Sequence, residues 1–169
     1  MDFGAVQCTP QSPNCLFCPL SGSCRALSEG KVQQLPVKQH RTKTTNRYFN
    51  YIYVRMGAHT LIHKRTEDDI WKNLFELPLV ETEKDLSEEE FLACPQFHAL
   101  FAEGEVRMVR ILLRGVKHVL SHRVIYTNFY EVTLPDNSSS FSSYQRVAVE
   151  DLGRYAVPRL IHAFLEKYV

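Results

Sequence analysis

Cys8, Cys15, Cys18 and Cys24 are separated by six, two and five residues, so four thiols fall within seventeen positions near the start of the chain. A loop that short can close four thiolates around one inorganic centre, the usual sign of an iron–sulfur cluster or a structural zinc. Structural zinc more often shows two Cys-x2–4-Cys knuckles, and only Cys15 and Cys18 make one here. Pro10, Pro13, Pro19 and Gly22 punctuate the same stretch. They exclude a long helix through the cysteines and predict a turn-rich loop. The preceding MDFGAVQ reads as the last turns of a helix, which points to a piece of something larger. The fifth cysteine, Cys94, stands alone before Pro95. It is expected to be a small apolar filler or a surface thiol, not a ligand.

The elements that must position such a centre are bounded by composition. A chain of 169 residues has room for one ordinary domain and a small extra element. A hydrophobic share of 44% is enough for a packed core. With 20 basic and 19 acidic residues the net charge is +1. That balance argues against non-specific coating of DNA and leaves a local basic patch open. No apolar run approaches the roughly 20 residues that span a bilayer. MDFGAVQC lacks the basic start and apolar stretch of a signal peptide. A reducing cytoplasm is therefore expected, where thiols hold metal more often than they pair as disulfides.

Composition divides the chain into three. Residues 1–27 hold the cysteine loop. Residues 28–46 form a linker, poor in apolar positions and carrying Lys38, Arg41 and Lys43 as candidate phosphate contacts; Lys31 and Arg47 add to the same run of positive charge. A solvated tether without a partner accounts for that charge equally well. Residues 47–169 read as an α+β domain on a mixed β-sheet with flanking helices. YFNYIYVRM predicts a strand, Gly57 a turn and His59–Arg65 its partner strand. LFELPLVET predicts one further strand. Ser87, with Glu90 three residues on, forms a capping box for a helix over Glu88–Ala93. Two long strands are predicted to meet near Leu120–Ser121, PDNSSSFSS to be a loop, and VAVEDLGRYAV a short turn. The terminal helix follows Pro158, expected in its first turn. Leu160, Ile161, Phe164, Leu165 and Tyr168 share one of its faces.

The cysteine spacing, the run Cys18-Pro19-Leu20, the motif Val119-Leu120-Ser121-His122, and Trp71, Leu74 and Pro78 together resemble adenine DNA glycosylases of the MutY type. The cysteine segment is similar to the end of that family's catalytic domain, and the remainder to its Nudix-like C-terminal domain. The resemblance implies a [4Fe–4S] cluster on Cys8, Cys15, Cys18 and Cys24, with a structural role beside DNA. It implies that Leu120, Ser121 and His122 read 8-oxoguanine. The expected partner is double-stranded DNA with 8-oxoguanine opposite adenine, from which the enzyme removes the adenine. The family's catalytic Glu and Asp lie upstream of the cluster. The fragment is therefore expected to recognise the lesion as a monomer, to lack the hydrolytic pocket, and to lose its cluster readily in isolation. Two departures stand out: Leu120 replaces an aromatic wedge, and the loop between the first two cysteines carries no positive charge.

By themselves Ser121 and His122 make an ordinary polar corner. Their interest comes from chemistry: 8-oxoguanine gains an acceptor at O8 and a hydrogen at N7, and a hydroxyl both donates and accepts. Two other classes compete. A Nudix-type nucleotide hydrolase would need the frame Gly-x5-Glu-x7-Arg-Glu-x2-Glu-Glu for Mg²⁺. Glu81, Glu83, Asp85, Glu88, Glu89 and Glu90 do not fit it. A zinc or iron–sulfur stabilised binding module needs only the cysteines.

Overall fold

The computed structural model describes residues 2–9, 11–35 and 44–169. Two units emerge, 1–43 and 44–169. The second begins slightly ahead of the boundary expected at residue 47. Lys38, Arg41 and Lys43 lie outside the described residues.

In the first unit, helix α1 (Asp2–Val6) ends just before Cys8. A single 3₁₀ turn at Ser21–Ser23 leads to the four-residue helix α2 (Arg25–Ser28). A chain of short-range backbone bonds holds the cysteine loop. The Cys18 amide donates to the Cys15 carbonyl at 3.2 Å, Ser21 to Cys18 at 3.0 Å, and Asn14 to Gln7 at 3.1 Å.

The second unit is built on β1 (Thr45–Arg55), whose run of aromatic and β-branched residues is buried on both faces. Phe49, Tyr51 and Tyr53 point into one core, Ile52 and Val54 into another. Double burial is what a continuous apolar strand predicts. β1 pairs in parallel with β6 (Arg123–Thr133), which is likewise buried on both sides through Ile125 and Phe129, and Tyr130 and Val132. β4 (Leu79–Thr82) and β5 (Met108–Val119) flank them antiparallel, giving the order β4-β1-β6-β5. The sheet is mixed, as the α+β reading expects. A second, antiparallel sheet is ordered β3-β2-β7, from β3 (Phe75–Glu76), β2 (His59–Lys64) and β7 (Gln145–Ala148).

The Gly57 turn forms as predicted, with Gly57 at φ +57° and Met56 and His59 exchanging backbone bonds. Left-handed backbone favours a residue without Cβ here, and an added carbon, 2.9 Å from Asp136 Oδ1, would also push that carboxylate aside. The predicted cap is complete at α3 (Glu88–Leu92): Ser87 accepts from the Glu90 amide and Glu90 reaches back to Ser87.

Three expectations need correction. The single strand read in LFELPLVET is two strands on two sheets, because Pro78 cannot donate to a ladder; its carbonyl instead accepts from Ile52 at 2.8 Å as the chain changes sheets. VAVEDLGRYAV begins inside a real strand, β7, and continues as a 3₁₀ turn over Val149–Arg154. Pro158 caps α5 (Arg159–Tyr168) with extended backbone, just outside the first turn. Leu160, Ile161 and Phe164 of α5 are buried, with Leu165 and Tyr168 packed beside them. A helix the sequence did not announce, α4 (Pro95–His98), follows Cys94. The Cys94 thiol is partly buried against the Phe91 and Phe97 core, the filler role expected of it.

Candidate nucleic-acid interface

Two places can do chemistry, one in each unit. In the first, Cys8, Cys15, Cys18 and Cys24 line one small depression of about 30 Å³, together with Pro13, Asn14, Ser21 and Leu27. Cys8 is exposed and the other three are partly covered. The turns separated by Pro13 and Pro19 therefore bring all four thiols to one hollow. Among the described residues no group of three or more His, Cys, Asp and Glu is gathered as a metal-ion site.

In the second unit the hairpin of β5 and β6 turns at Leu120–His122. The Leu120 amide donates to the Arg123 carbonyl at 2.8 Å, and the His122 carbonyl accepts from Thr45 at 3.2 Å. Ser121 and His122 are exposed. Among the described residues neither the Ser121 hydroxyl nor the Ser121 and His122 amides have a hydrogen-bond partner. Leu120 is partly buried and leans on the core, whereas Val119 beside it is 65% exposed. The corner's uncovered apolar surface is thus valine more than leucine.

What supports this corner comes from far away in sequence. Asp69 accepts from Arg47 at 2.6 Å, from Arg65 at 3.1 Å and from Arg123, the residue that ends the turn. Arg47 is also held by Glu81 through two bonds of 2.6 Å, a fork geometry that fixes the guanidinium plane. Arg65 is held by Glu76 at 2.8 Å. Burial on its own would push the Asp69 carboxyl up, but the bonds from Arg47 and Arg123 and from the Ile70 amide hold it well below the usual carboxylate range. An open depression of about 410 Å³ lies over this network, lined by Thr45, Arg47, Asp69, Glu81 and Arg123.

The loop that presents Asp69 is folded around Arg65. Asn73 donates to the Arg65 carbonyl at 2.8 Å, and the Arg65 amide to Leu74 at 2.9 Å. Trp71 at φ +59° and Asn73 at φ +69° take left-handed backbone, uncommon for a bulky side chain and held only where surroundings over-determine it. Trp71 packs 5.8 Å from His118 on β5 and 6.1 Å from Phe49. His118 therefore fills space under the corner.

Sequence reasoning placed Leu120, Ser121 and His122 together and named Val119 only as part of their motif; it missed Asp69 and Arg123. It also counted Arg47 with the linker's positive charge; the structure sets Arg47 in β1, its N–H groups bonded to Glu81 and Asp69 and its guanidinium over the Phe49 ring. No local signal ties Asp69, among Glu67, Asp68 and Asp69, to the corner: Arg65 lies four residues away, but Arg47 and Arg123 lie 22 and 54 residues away. The acids that could be mistaken for a metal-binding row are dispersed. Glu81 holds Arg47, Asp85 accepts from Asn128 at 3.3 Å, and Glu90 closes the cap of α3.

Comparison with known proteins bears on both places. Residues 50–167 match the NUDIX domain family. An adenine DNA glycosylase of Buchnera aphidicola from Acyrthosiphon pisum is 26% identical over 99% of this chain and 46% of its own length. Its counterpart from Schizaphis graminum is 35% identical over 48% of this chain and 24% of its own. The chain thus spans less than half the length of these curated relatives. Among solved structures, the C-terminal domain of mouse MUTYH, in complex with human PCNA, superposes with a TM-score of 0.55 at 15% identity, covering 72% of this chain and 86% of that one. That likeness concerns the fold. The chain belongs to the NUDIX domain family, in the form that resembles the C-terminal part of adenine DNA glycosylases of the MutY type.

Proposed function

We propose that this chain is the C-terminal part of an adenine DNA glycosylase that removes adenine opposite 8-oxoguanine in base-excision repair. In this reading the second unit reads the lesion, and the hydrolytic pocket belongs to sequence upstream of the cysteines. The carrying observation is the Leu120–His122 turn. It stands at the tip of a hairpin with Ser121 and His122 exposed, and among the described residues no group bonds the Ser121 hydroxyl or the two amides. Such a trio can accept from N7–H and donate to O8, a pattern guanine does not offer. Val119 supplies apolar surface to press on the base. Lys38, Arg41 and Lys43 are the candidate phosphate contacts. A cytoplasmic location with the chromosome follows from the proposed substrate; among the described residues no helix is long and apolar enough to cross a membrane.

The cysteine loop is read as the ligand set of a cluster, because only Cys15 and Cys18 make the close knuckle that structural zinc favours. A tetrahedral zinc sits about 2.3 Å from every sulfur and draws its ligands tightly together. Here the four thiols line one hollow. A [4Fe–4S] centre, held by four thiolates, would tie down the loop when bound. The short backbone bonds from Cys18 to Cys15 and from Ser21 to Cys18 present the sulfurs to it. Hydrolysis of nucleotides by the domain is the less favoured reading, because the relatives that span the chain are named glycosylases.

The test is binding of the full chain to two duplexes that differ only in 8-oxoguanine or guanine opposite adenine. Ser121→Ala should lower the preference for the lesion by about tenfold, the worth of one or two hydrogen bonds. Equal preference in the variant and the natural chain would remove the corner from the recognition.

A further inference from the structure

We propose that Asp69 is the positioning residue of the lesion-reading corner, acting through Arg123; this rests on the reading of Leu120–His122 given above. The turn has two backbone anchors, Leu120 to Arg123 and Thr45 to His122. Both lie at its base. The Arg123 side chain is the third, and among the described residues Asp69 is its acidic partner. The other arginines of the network are not so dependent. Arg47 retains Glu81 if Asp69 loses its charge, and Arg65 retains Glu76 and the Ile70 carbonyl. Among the described residues Asp69 is therefore the one carboxylate whose loss selectively frees the residue next to His122.

The geometry also explains why the loop over residues 67–74 takes a strained path. Left-handed backbone at Trp71 and Asn73 places Asp69 against β6 at Arg123 and Trp71 against β5 at His118. One loop thus touches both strands of the hairpin just below its tip. A hairpin tip gripped on both strands keeps its free hydroxyl and amides in one orientation, and a donor–acceptor pair discriminates only if its directions are fixed.

The experiment uses the full chain and the same two duplexes. Asp69→Asn and Arg123→Ala should each lower the preference for 8-oxoguanine by about fivefold, with the double variant no worse than either single one, as expected for two residues acting as a unit. Glu81→Gln removes a carboxylate from the same network without touching Arg123, and should leave the preference unchanged. Amide exchange at Leu120–Arg123 should speed in Asp69→Asn while exchange in the centres of β1 and β6 stays slow. If Ser121→Ala abolishes the preference but Asp69→Asn retains it, the positioning role falls and the recognition reading stands. If Ser121→Ala and Asp69→Asn both retain it, the recognition reading falls. Multiplicative losses in the double variant, or a loss in Glu81→Gln equal to that in Asp69→Asn, would also overturn the coupling. Should Asp69→Asn fail to fold, Arg123→Ala alone decides: an unchanged preference rejects the proposal.

Discussion

The cysteine loop and the sheet domain organise chain by opposite means. In the first unit no described side chain is buried, and Leu16 and Phe17 are 86% and 77% exposed. Its order rests on short-range backbone bonds, around which four thiols line one hollow. The second unit holds two apolar cores on either side of a sheet whose central strands are covered on both faces. Chain without a core needs a ligand or a neighbour to hold it, as small metal-bound modules do. Chain with two cores does not. A site on the second unit can therefore be tuned by side chains alone, whereas the first has only its local turns to build on.

The largest expected effect breaks the second unit. Phe129 is fully buried between Phe164, whose ring is 4.1 Å away, and Tyr51 at 5.6 Å. Phe129→Ala opens a cavity at the centre of the parallel strand pair and should cost about 4 kcal/mol in denaturant unfolding. That is a large part of an ordinary domain's stability. A loss under 1 kcal/mol would mean that the core is not the source of this unit's order. Next comes Glu76, 4% exposed, which accepts from Arg65 at 2.8 Å and from the Tyr51 hydroxyl at 3.1 Å. Glu76→Gln leaves a buried guanidinium with one remaining carboxylate, Asp69, and should cost about 3 kcal/mol. The same unfolding curve measures it. The Tyr51 hydroxyl, whose pKa burial and the nearby Glu76 charge both push up, should then ionise more easily, visible by absorbance titration.

What could be read from sequence follows the range of the interaction. The Ser87–Glu90 capping box and the Gly57 turn were legible because their causes lie within four residues. The β5–β6 hairpin was legible because its two apolar runs adjoin. The division of LFELPLVET was not, because Pro78 marks a break without saying that the pieces join different sheets. β7 was missed for its brevity: four residues, two of them exposed, show no period. In the candidate site, Ser121 and His122 could be named from a motif. Asp69 could not, since its one nearby partner, Arg65, says nothing of Arg47 and Arg123, which lie 22 and 54 residues away. The four thiols were the easiest to see, being adjacent in sequence and needing no tertiary fold to meet.

A smaller effect probes an exposed loop of the second unit that resembles the cysteine loop in composition yet is ordered by a carboxylate. Glu105 accepts from the hydroxyls of Ser138 and Ser140 at 2.5 Å each, and from the Ser139 amide at 3.0 Å. The hydrogen bonds from Ser138 and Ser140, with that from the Ser139 amide, lower its pKa from 4.5 to about 2. A depressed folded pKa contributes stability above the unfolded value that is lost as pH falls through the folded one. The clasp should thus be intact above about pH 4.5 and loosen toward pH 2, over a window set by the two values. A carboxyl-carbon NMR titration of Glu105 with a midpoint near its ordinary value would show that the serines do not hold it.

The smallest expected effect on the sheet domain is the sharpest for the comparison. Cys18→Ser removes one of the four thiols lining the hollow and changes no residue of either core. The melting midpoint of the second unit should shift by no more than about 1 °C, far less than the several degrees that a loss of even 1 kcal/mol produces in a domain of this size. The loop should respond differently. A serine hydroxyl is a poor replacement for a thiolate toward iron or zinc, so bound metal should fall and proteolysis between Thr9 and Ser23 should quicken. A melting shift as large as that of Glu76→Gln would show that the loop stabilises the sheet domain, and the two regions would no longer be independent. Unchanged proteolysis would show instead that backbone turns suffice to hold the loop, leaving the four thiols close together for another reason.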